Sequence, residues 1–187
     1  MFKRGFKSWC ETVSAQYRKE LKVAPSDPID PHGLAALLNI MVWTINDIPN
    51  LDSEALRVLT GKDKSCWSAA TISLNSESLI VLNPTHSKAR TASNLMHEIS
   101  HLVIGHEPAR VDVSEDNILL LNTYDKTQED EADWLCGCLL LPRTACLKIK
   151  KMNQDASKSA SDYGVSVEML RYRMNVTGMN RQFKSRN

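Results

Sequence analysis

The chain has 187 residues, of which 42% are hydrophobic and 24% charged, and its formal net charge is only +1. These proportions are typical of a globular protein with a substantial core, and no apolar run is long enough to cross a membrane. The odd count of five cysteines has no disulfide-scaffold spacing, and no apolar segment follows the basic N-terminus as in a secretion signal. We therefore expect a cytoplasmic protein without membrane contacts.

Charge is unevenly distributed along the chain. Residues 1–22 carry six basic and two acidic side chains, residues 143–187 carry ten basic and three acidic ones, and the segment between them is acidic. Solvated helix faces commonly have such compositions. A surface that meets nucleic acid is the alternative interpretation of the two basic ends.

Helical and extended patterns follow one another through the first part of the chain. Apolar residues at four-residue steps predict an amphipathic helix over residues 8–21. Residues 24–31 contain three prolines and are predicted to form a linker. Asp30, which a proline follows, is the predicted N-cap of a second helix, which ends near residue 39. A short strand is predicted over residues 40–45.

The middle of the chain has β-favouring runs before a longer helical pattern. Residues 66–74 and 78–83 are predicted to pair as a hairpin. A helix is predicted over residues 87–105, and the polar segment 107–126 is predicted to be a loop with one apolar patch.

A further helix is predicted over residues 128–141, with Thr127 as its N-cap and Pro142 at its end. The last forty residues are predicted to form two or three short helices. We expect an N-terminal helix in residues 1–25, a core in residues 26–142 and a basic helical module in residues 143–187.

The most informative motif is the pentad His-Glu-Ile-Ser-His at residues 97–101. Side chains four residues apart lie on the same face of a helix, so His97 and His101 could bind one metal ion. Glu98 is then placed to act on a metal-bound water, as in the H-E-x-x-H pattern of zinc peptidases. The apolar residues of this helix gather on the opposite side, which leaves the histidines free to line a cleft.

A catalytic zinc ion normally has three protein ligands, so one more is needed. An extended motif of the form H-E-x-x-H-x-x-G-x-x-H would need glycine at position 104 and histidine at position 107. The chain instead has Gly105 and His106, so the register fails. We expect His106 to cap the end of its helix, where a cation is favoured.

The predicted helix 128–141 offers carboxylates for the third position. Glu129 lies at the edge of its buried side, Asp133 lies one turn further on, and Glu131 is predicted to point into solvent. We predict that Glu129 is the third ligand of one zinc ion per chain. Asp133 is predicted to accept the N–H of a ligand histidine and so to fix its tautomer.

This arrangement predicts peptide hydrolysis, because zinc lowers the pKa of its water and Glu98 can accept the proton and pass it to the leaving amine. No local pattern identifies an oxyanion stabiliser, and Tyr124 is a candidate in a loop. One alternative is a DNA-binding transcriptional regulator on a catalytically degenerate peptidase scaffold. Another is a purely structural zinc, although such sites are usually rich in thiolates.

Four segments, in this order, resemble the ImmA/IrrE family of bacterial metallopeptidases. They are DPHGLAALLNI at 30–40, Asn83 and Arg90 with HEISHLVIGH at 97–106, EDEADWLCGCLLLP at 129–142, and YGVSVEMLRYR at 163–173. The third segment departs from the family pattern, since Asp133, Trp134 and Cys136 replace the usual Asn, Phe and Ala.

The resemblance implies an α+β protein with a zincin-like core and a small, mostly antiparallel sheet. It implies an active-site helix, a second ligand-bearing helix and a C-terminal module similar to a helix-turn-helix. It also implies an intracellular endopeptidase that cleaves a helix-turn-helix repressor encoded nearby and so derepresses stress, phage-defence or mobile-element genes. Our further hypothesis is that DNA binds the basic ends and promotes cleavage.

Overall fold

The computed structural model describes residues 2–61, 67–74, 77–106, 110–113, 119–122 and 125–182. The strands are β1 (Ile40–Thr44), β2 (Ala69–Leu74), β3 (Glu77–Leu82), β4 (Arg110–Val113) and β5 (Leu119–Asn122). The helices are α1 (Phe6–Glu20), α2 (Pro31–Leu37), α3 (Ser53–Thr60), α4 (Lys88–Ile104), α5 (Lys126–Leu140), α6 (Arg143–Met152), α7 (Ala156–Asp162), α8 (Val167–Val176) and α9 (Met179–Gln182).

The three-stranded sheet has the order β1-β3-β2. Strand β1 runs parallel to β3, with Ile40 opposite Ser78, and β2 runs antiparallel to β3, with Thr71 opposite Ile80. Strands β4 and β5 form a separate antiparallel pair. Two of these three pairings are antiparallel, and the predicted α+β, zincin-like class is confirmed.

Helices α4 and α5 pack against each other and carry the centre of the core. Leu95, Met96 and Ile99 of α4 and Leu135 and Leu139 of α5 are all fully buried. Burial of each such side chain contributes about 1.5–3 kcal/mol to stability. The helix pair therefore forms a rigid base for the polar side chains on its other faces.

The start of α2 follows the prediction. The Asp30 carboxylate accepts hydrogen bonds from the backbone N–H groups of His32 and Gly33, each at 3.1 Å. Asn39, with φ at 55°, ends the helical region immediately before β1. The chain can thus pass directly from a capped helix into the sheet.

Val13, Tyr17 and Leu21, three of the apolar residues at four-residue steps in the predicted helix 8–21, pack against the core as predicted, whereas Trp9 is 40% exposed. The most deeply buried residues of α1 are Cys10, Ser14 and Arg18. The reason lies at the C-terminal end of α5, where the last carbonyl groups have no partner within the helix. The Ser14 hydroxyl donates to the carbonyl of Cys138 at 2.7 Å, and Arg18 Nη2 donates to that of Leu139 at 2.7 Å. The buried face of α1 is therefore partly polar.

Helix α8 contributes a second guanidinium to the same place. Arg173 is fully buried, and its Nε donates to the carbonyl of Leu141 at 2.8 Å, while Nη2 donates to Oε1 of Glu11 on α1 at 2.7 Å. Gly137 makes room for it, since a Cβ atom there would lie 2.8 Å from Cδ of Arg173. Side chains of α1, α5 and α8 thus share one core, while the division of the chain at residues 25 and 142 stays a prediction.

Two predictions about local structure were wrong. Segment 107–126, predicted to be a loop, contains β4 and β5, and Leu119, Leu120 and Leu121 of the apolar patch belong to β5. The N-cap of α5 is Asp125, whose carboxylate accepts from the N–H of Thr127 at 2.8 Å. The last forty residues contain α7, α8 and α9, in agreement with the two or three short helices predicted there, and α3 was not predicted. No helix in the described part of the chain is long and apolar enough to span a membrane.

Candidate metal centre

Three side chains from α4 and α5 converge beside the helix pair. The Nε2 atoms of His97 and His101 lie 3.0 Å apart. Oε2 of Glu129 lies 3.2 Å from Nε2 of His97, and its Oε1 lies 3.5 Å from Nε2 of His101. These are the three residues that the sequence singles out as metal ligands, and the structure brings them together.

The donor set fits a tetrahedral zinc ion. Two ligand atoms bound at 2.0–2.1 Å to such an ion lie about 3.3 Å apart, which the observed separations of 3.0, 3.2 and 3.5 Å closely approach. Two imidazoles and one carboxylate are also the chemistry of catalytic sites that leave a position open. Within the described residues, this trio is the one group of His, Cys, Asp and Glu side chains able to hold a metal ion.

His97 is oriented by Asp133, as the sequence predicts. Nδ1 of His97 lies 2.9 Å from Oδ1 of Asp133, which accepts its N–H and leaves the lone pair of Nε2 for a metal. Burial opposes protonation of His97, but the hydrogen bond and charge of Asp133, with the charges of Glu98 and Glu129, raise its pKa above the ordinary value.

His101 is oriented by His106 and Glu131, for which the sequence predicted other roles. Its Nδ1 lies 2.9 Å from Nδ1 of His106, and Nε2 of His106 lies 3.3 Å from Oε2 of Glu131. If Glu131 accepts the Nε2–H of His106, then Nδ1 of His106 can accept the N–H of His101. Both histidines could thus present Nε2 to a metal ion.

The prediction that Glu131 points into solvent was wrong, since its side chain is only 14% exposed and that of His106 only 7%. Gly105, with φ at 80°, turns the chain back at the end of α4 and directs His106 towards α5. The His106 side chain consequently contacts the Glu131 carboxylate and the His101 imidazole, instead of capping its helix as predicted.

Electrostatics keep His101 in the form that a metal requires. Burial and the neighbouring imidazoles of His97 and His106 lower the pKa of His101 to about 4. Its ring is therefore neutral at neutral pH and has a lone pair to donate.

Glu98 lies beside the trio but outside it. Together with His97 it lines a cleft of about 300 Å³, which Ser68 and Ala69 at the start of β2 also line. The hydroxyl of Thr71 on β2 donates to Oε2 of Glu98 at 2.5 Å. The sequence did not predict the contact of Thr71, because no local pattern indicates which strand residue faces Glu98, 27 positions later in the chain. Tyr124, the candidate oxyanion stabiliser, lies outside the described residues.

The described cysteines take no part in this centre. Cys10, Cys136, Cys138 and Cys146 are buried and form no disulfide. Burial raises the pKa of Cys136 to about 12, so its sulfur remains a thiol. The site is therefore built from nitrogen and oxygen donors.

A comparison with known families supports this chemistry. Residues 60–175, more than half of the chain, match the model of the IrrE N-terminal-like domain, Peptidase_M78. The match covers α4, α5 and most of α8. No curated protein and no solved structure matches the chain.

Proposed function

The chain belongs to the Peptidase_M78 family, and we propose that it is a zinc-dependent endopeptidase with one zinc ion per chain. The observation that carries the proposal is the convergence of His97, His101 and Glu129 on one position, with Glu98 beside them and free of the ligand set. A structural site would need no such extra carboxylate in an open cleft.

Zinc bound by the trio supplies a Lewis acid that polarises a peptide carbonyl and lowers the pKa of water. Glu98 accepts the proton that the attacking water releases and delivers it to the leaving amine when the C–N bond breaks. Thr71 holds one oxygen of this carboxylate, so the other is positioned for proton transfer. Asp133 and His106 hold the two imidazoles in the orientation that binding requires.

The proposed substrate is a helix-turn-helix transcriptional repressor encoded nearby, whose cleavage derepresses stress, phage-defence or mobile-element genes. This part of the proposal rests on the resemblance of four segments to the ImmA/IrrE family and on the cleft that His97 and Glu98 line. The five cysteines without scaffold spacing, four of them free and buried, favour the cytoplasm as the compartment.

The test is to co-express the chain with the neighbouring repressor and to measure the intact mass of the repressor afterwards. We expect two fragments whose masses account for the repressor plus one water, and an intact repressor with the Glu98→Gln variant. Elemental analysis of the purified chain should give about one zinc per chain. A metal-free chain that leaves every repressor intact would instead favour the DNA-binding regulator on a degenerate scaffold.

We also propose that DNA activates cleavage through the basic ends. The excess of basic side chains in residues 1–22 and 143–187 supports this, although Arg18 and Arg173 are buried and cannot contribute. Addition of single- or double-stranded DNA at low salt should accelerate repressor cleavage, because phosphate contacts are strongest there. An unchanged rate with both forms of DNA would contradict activation while leaving the peptidase proposal intact.

A further inference from the structure

A cavity of about 680 Å³ lies next to the metal centre, between the N-terminal halves of α4, α5 and α8. It adjoins the cleft that holds His97 and Glu98, since Ser93, Asn94 and Asp133 line both. Its volume is in the range of ligand-binding pockets. A peptide that lies across the metal position therefore passes the mouth of this cavity.

The interior of the cavity is largely apolar. Trp134 is central, with the ring of Tyr172 edge-on at 6.4 Å and that of Phe2 at 5.4 Å between centroids. Val165 and Met169, at the N-terminal end of α8, complete this apolar lining. Such a surface favours a large apolar or aromatic side chain, which can pack against the indole ring.

The rim of the cavity is acidic rather than apolar, since Asp130, Asp133 and Glu168 line the cavity as well. Arg90 is the one basic side chain in the lining, and its Nη2 is within 3.3 Å of the Ser68 hydroxyl, which accepts from it. Nζ of Lys7 lies 4.0 Å from the centroid of the Trp134 ring, so three carboxylates outnumber two basic groups and leave a net negative charge at the mouth. Charge complementarity therefore favours a cation at the mouth and disfavours an anion.

We propose that this cavity is a specificity pocket that takes one large apolar or aromatic side chain of an extended substrate and selects a basic residue two positions away, whose side chain lies on the same side of the extended peptide. The inference rests on the proposed peptidase function and names the substrate class of that site. The apolar lining binds the first side chain, and the carboxylates of α5 and α8 bind the second.

The probes are three capped hexapeptides that differ at two positions: Ala-Phe-Ala-Lys-Ala-Ala (the Phe-Lys peptide), the same peptide with Ala for Phe (the Ala-Lys peptide), and the same peptide with Glu for Lys (the Phe-Glu peptide). They are titrated into zinc-loaded Glu98→Gln protein labelled with ¹⁵N, and the indole N–H resonance of Trp134 is followed by NMR. A Trp134→Phe variant assigns that resonance.

We expect the Phe-Lys peptide to shift the Trp134 resonance and to bind at least tenfold more tightly than either of the other two. Equal binding of the Phe-Lys and Phe-Glu peptides would overturn the selection of a basic residue. Equal binding of the Phe-Lys and Ala-Lys peptides, or no effect of any peptide on the Trp134 resonance, would overturn the pocket itself.

Two variants of α4 provide a matched pair for the same titration. Ala89→Trp places a large side chain in the lining of the cavity, whereas Lys88→Trp places it one position earlier, at an exposed residue outside the lining. Ala89→Trp should abolish binding of the Phe-Lys peptide, and Lys88→Trp should retain it. Equal binding by both variants would contradict the proposed location.

Cleavage of a mixed peptide library by the wild-type chain separates this inference from the proposed function. Cleavage sites without enrichment of apolar and basic residues two positions apart would overturn the pocket and leave the peptidase in place. The expected binding preference without cleavage of any library peptide or repressor would leave the pocket in place and overturn the peptidase.

Discussion

Thr71 and Glu98 are joined by a hydrogen bond of 2.5 Å, in which the threonine hydroxyl donates to Oε2 of the carboxylate. Contact between β2 and α4 creates this pair, and no metal ligand takes part in it. The bond fixes the rotation of the carboxylate relative to the cleft. It therefore separates the positioning of the proposed base from the binding of the metal.

Replacement of Thr71 by Val should lower the cleavage rate roughly 10- to 100-fold, because a misplaced base transfers a proton less efficiently. Metal content should stay that of the wild type. Thr71→Ser keeps the hydroxyl and is the matched control, with activity near that of the wild type. Equal activity of the Val and Ser variants would show that the hydrogen bond does not position Glu98.

Replacement of Glu98 by Gln should keep the metal and lower the rate by about 10²- to 10⁴-fold, the usual contribution of a general base. His97→Ala and His101→Ala should lose both the metal and the activity. Zinc content by elemental analysis and repressor cleavage by mass spectrometry are measured on the same samples. A Glu98→Gln variant that still cleaves would rule out the assigned role.

Loss of the contact between His106 and Glu131 should weaken metal binding. We expect His106→Phe and Glu131→Gln each to lower zinc affinity about 10- to 100-fold, because the imidazole of His101 is then no longer held in one orientation. Competition with a chelator of known affinity measures the change. Lys126→Ala, an exposed substitution on the same helix, is the control. Unchanged zinc affinity in both variants would show that His106 and Glu131 do not orient His101 for metal binding.

The cysteines should be protected in the folded chain. Cys10, Cys136, Cys138 and Cys146 are buried, and burial raises the pKa of Cys136 to about 12. Because burial keeps the reagent from the sulfur atoms, these four should not react with a thiol reagent at pH 8, while all five should react after unfolding. Thiol modification of the native chain should also release no zinc. Release would indicate thiolate ligands.

The ion pair between Arg173 and Glu11 predicts a stability effect. Glu11→Ala leaves a buried guanidinium without its partner, which typically costs about 3–5 kcal/mol. Urea denaturation followed by circular dichroism should show a lower midpoint. Adding Arg173→Met should recover part of the loss, since the uncompensated charge is then removed. A Glu11→Ala midpoint equal to that of the wild type would contradict a structural role for the pair.

Local periodicity explains how much of the centre could be predicted. Spacing of four residues on one helix places His97 and His101 together whatever the rest of the fold does. The position of Glu129 at the edge of the buried face of α5 was also readable from its own segment. The role of Thr71 could not be predicted in this way, because its contact with Glu98 depends on the packing of β2 against α4.

Glu131 shows the limit of the same reasoning. Its angle on an isolated helix directs it away from Glu129, and a side chain on that face is normally solvated. The backbone turn at Gly105 brings His106 over that face and covers it. A helical projection contains no information about a segment that leaves one helix and returns over another. The strands β4 and β5 were missed for a similar reason, since pairing depends on contacts between segments.

The contacts at the C-terminal end of α5 predict how truncating mutations affect this protein. A reading frame interrupted by a nonsense or frameshift mutation between codons 142 and 173 still encodes the ligands and the proposed base. Its product lacks the guanidinium that donates to the Leu141 carbonyl and pairs with Glu11, and it lacks the apolar residues of α8 that cover the core. Such an allele should behave as a null, because the truncated polypeptide cannot complete the scaffold on which its histidines depend.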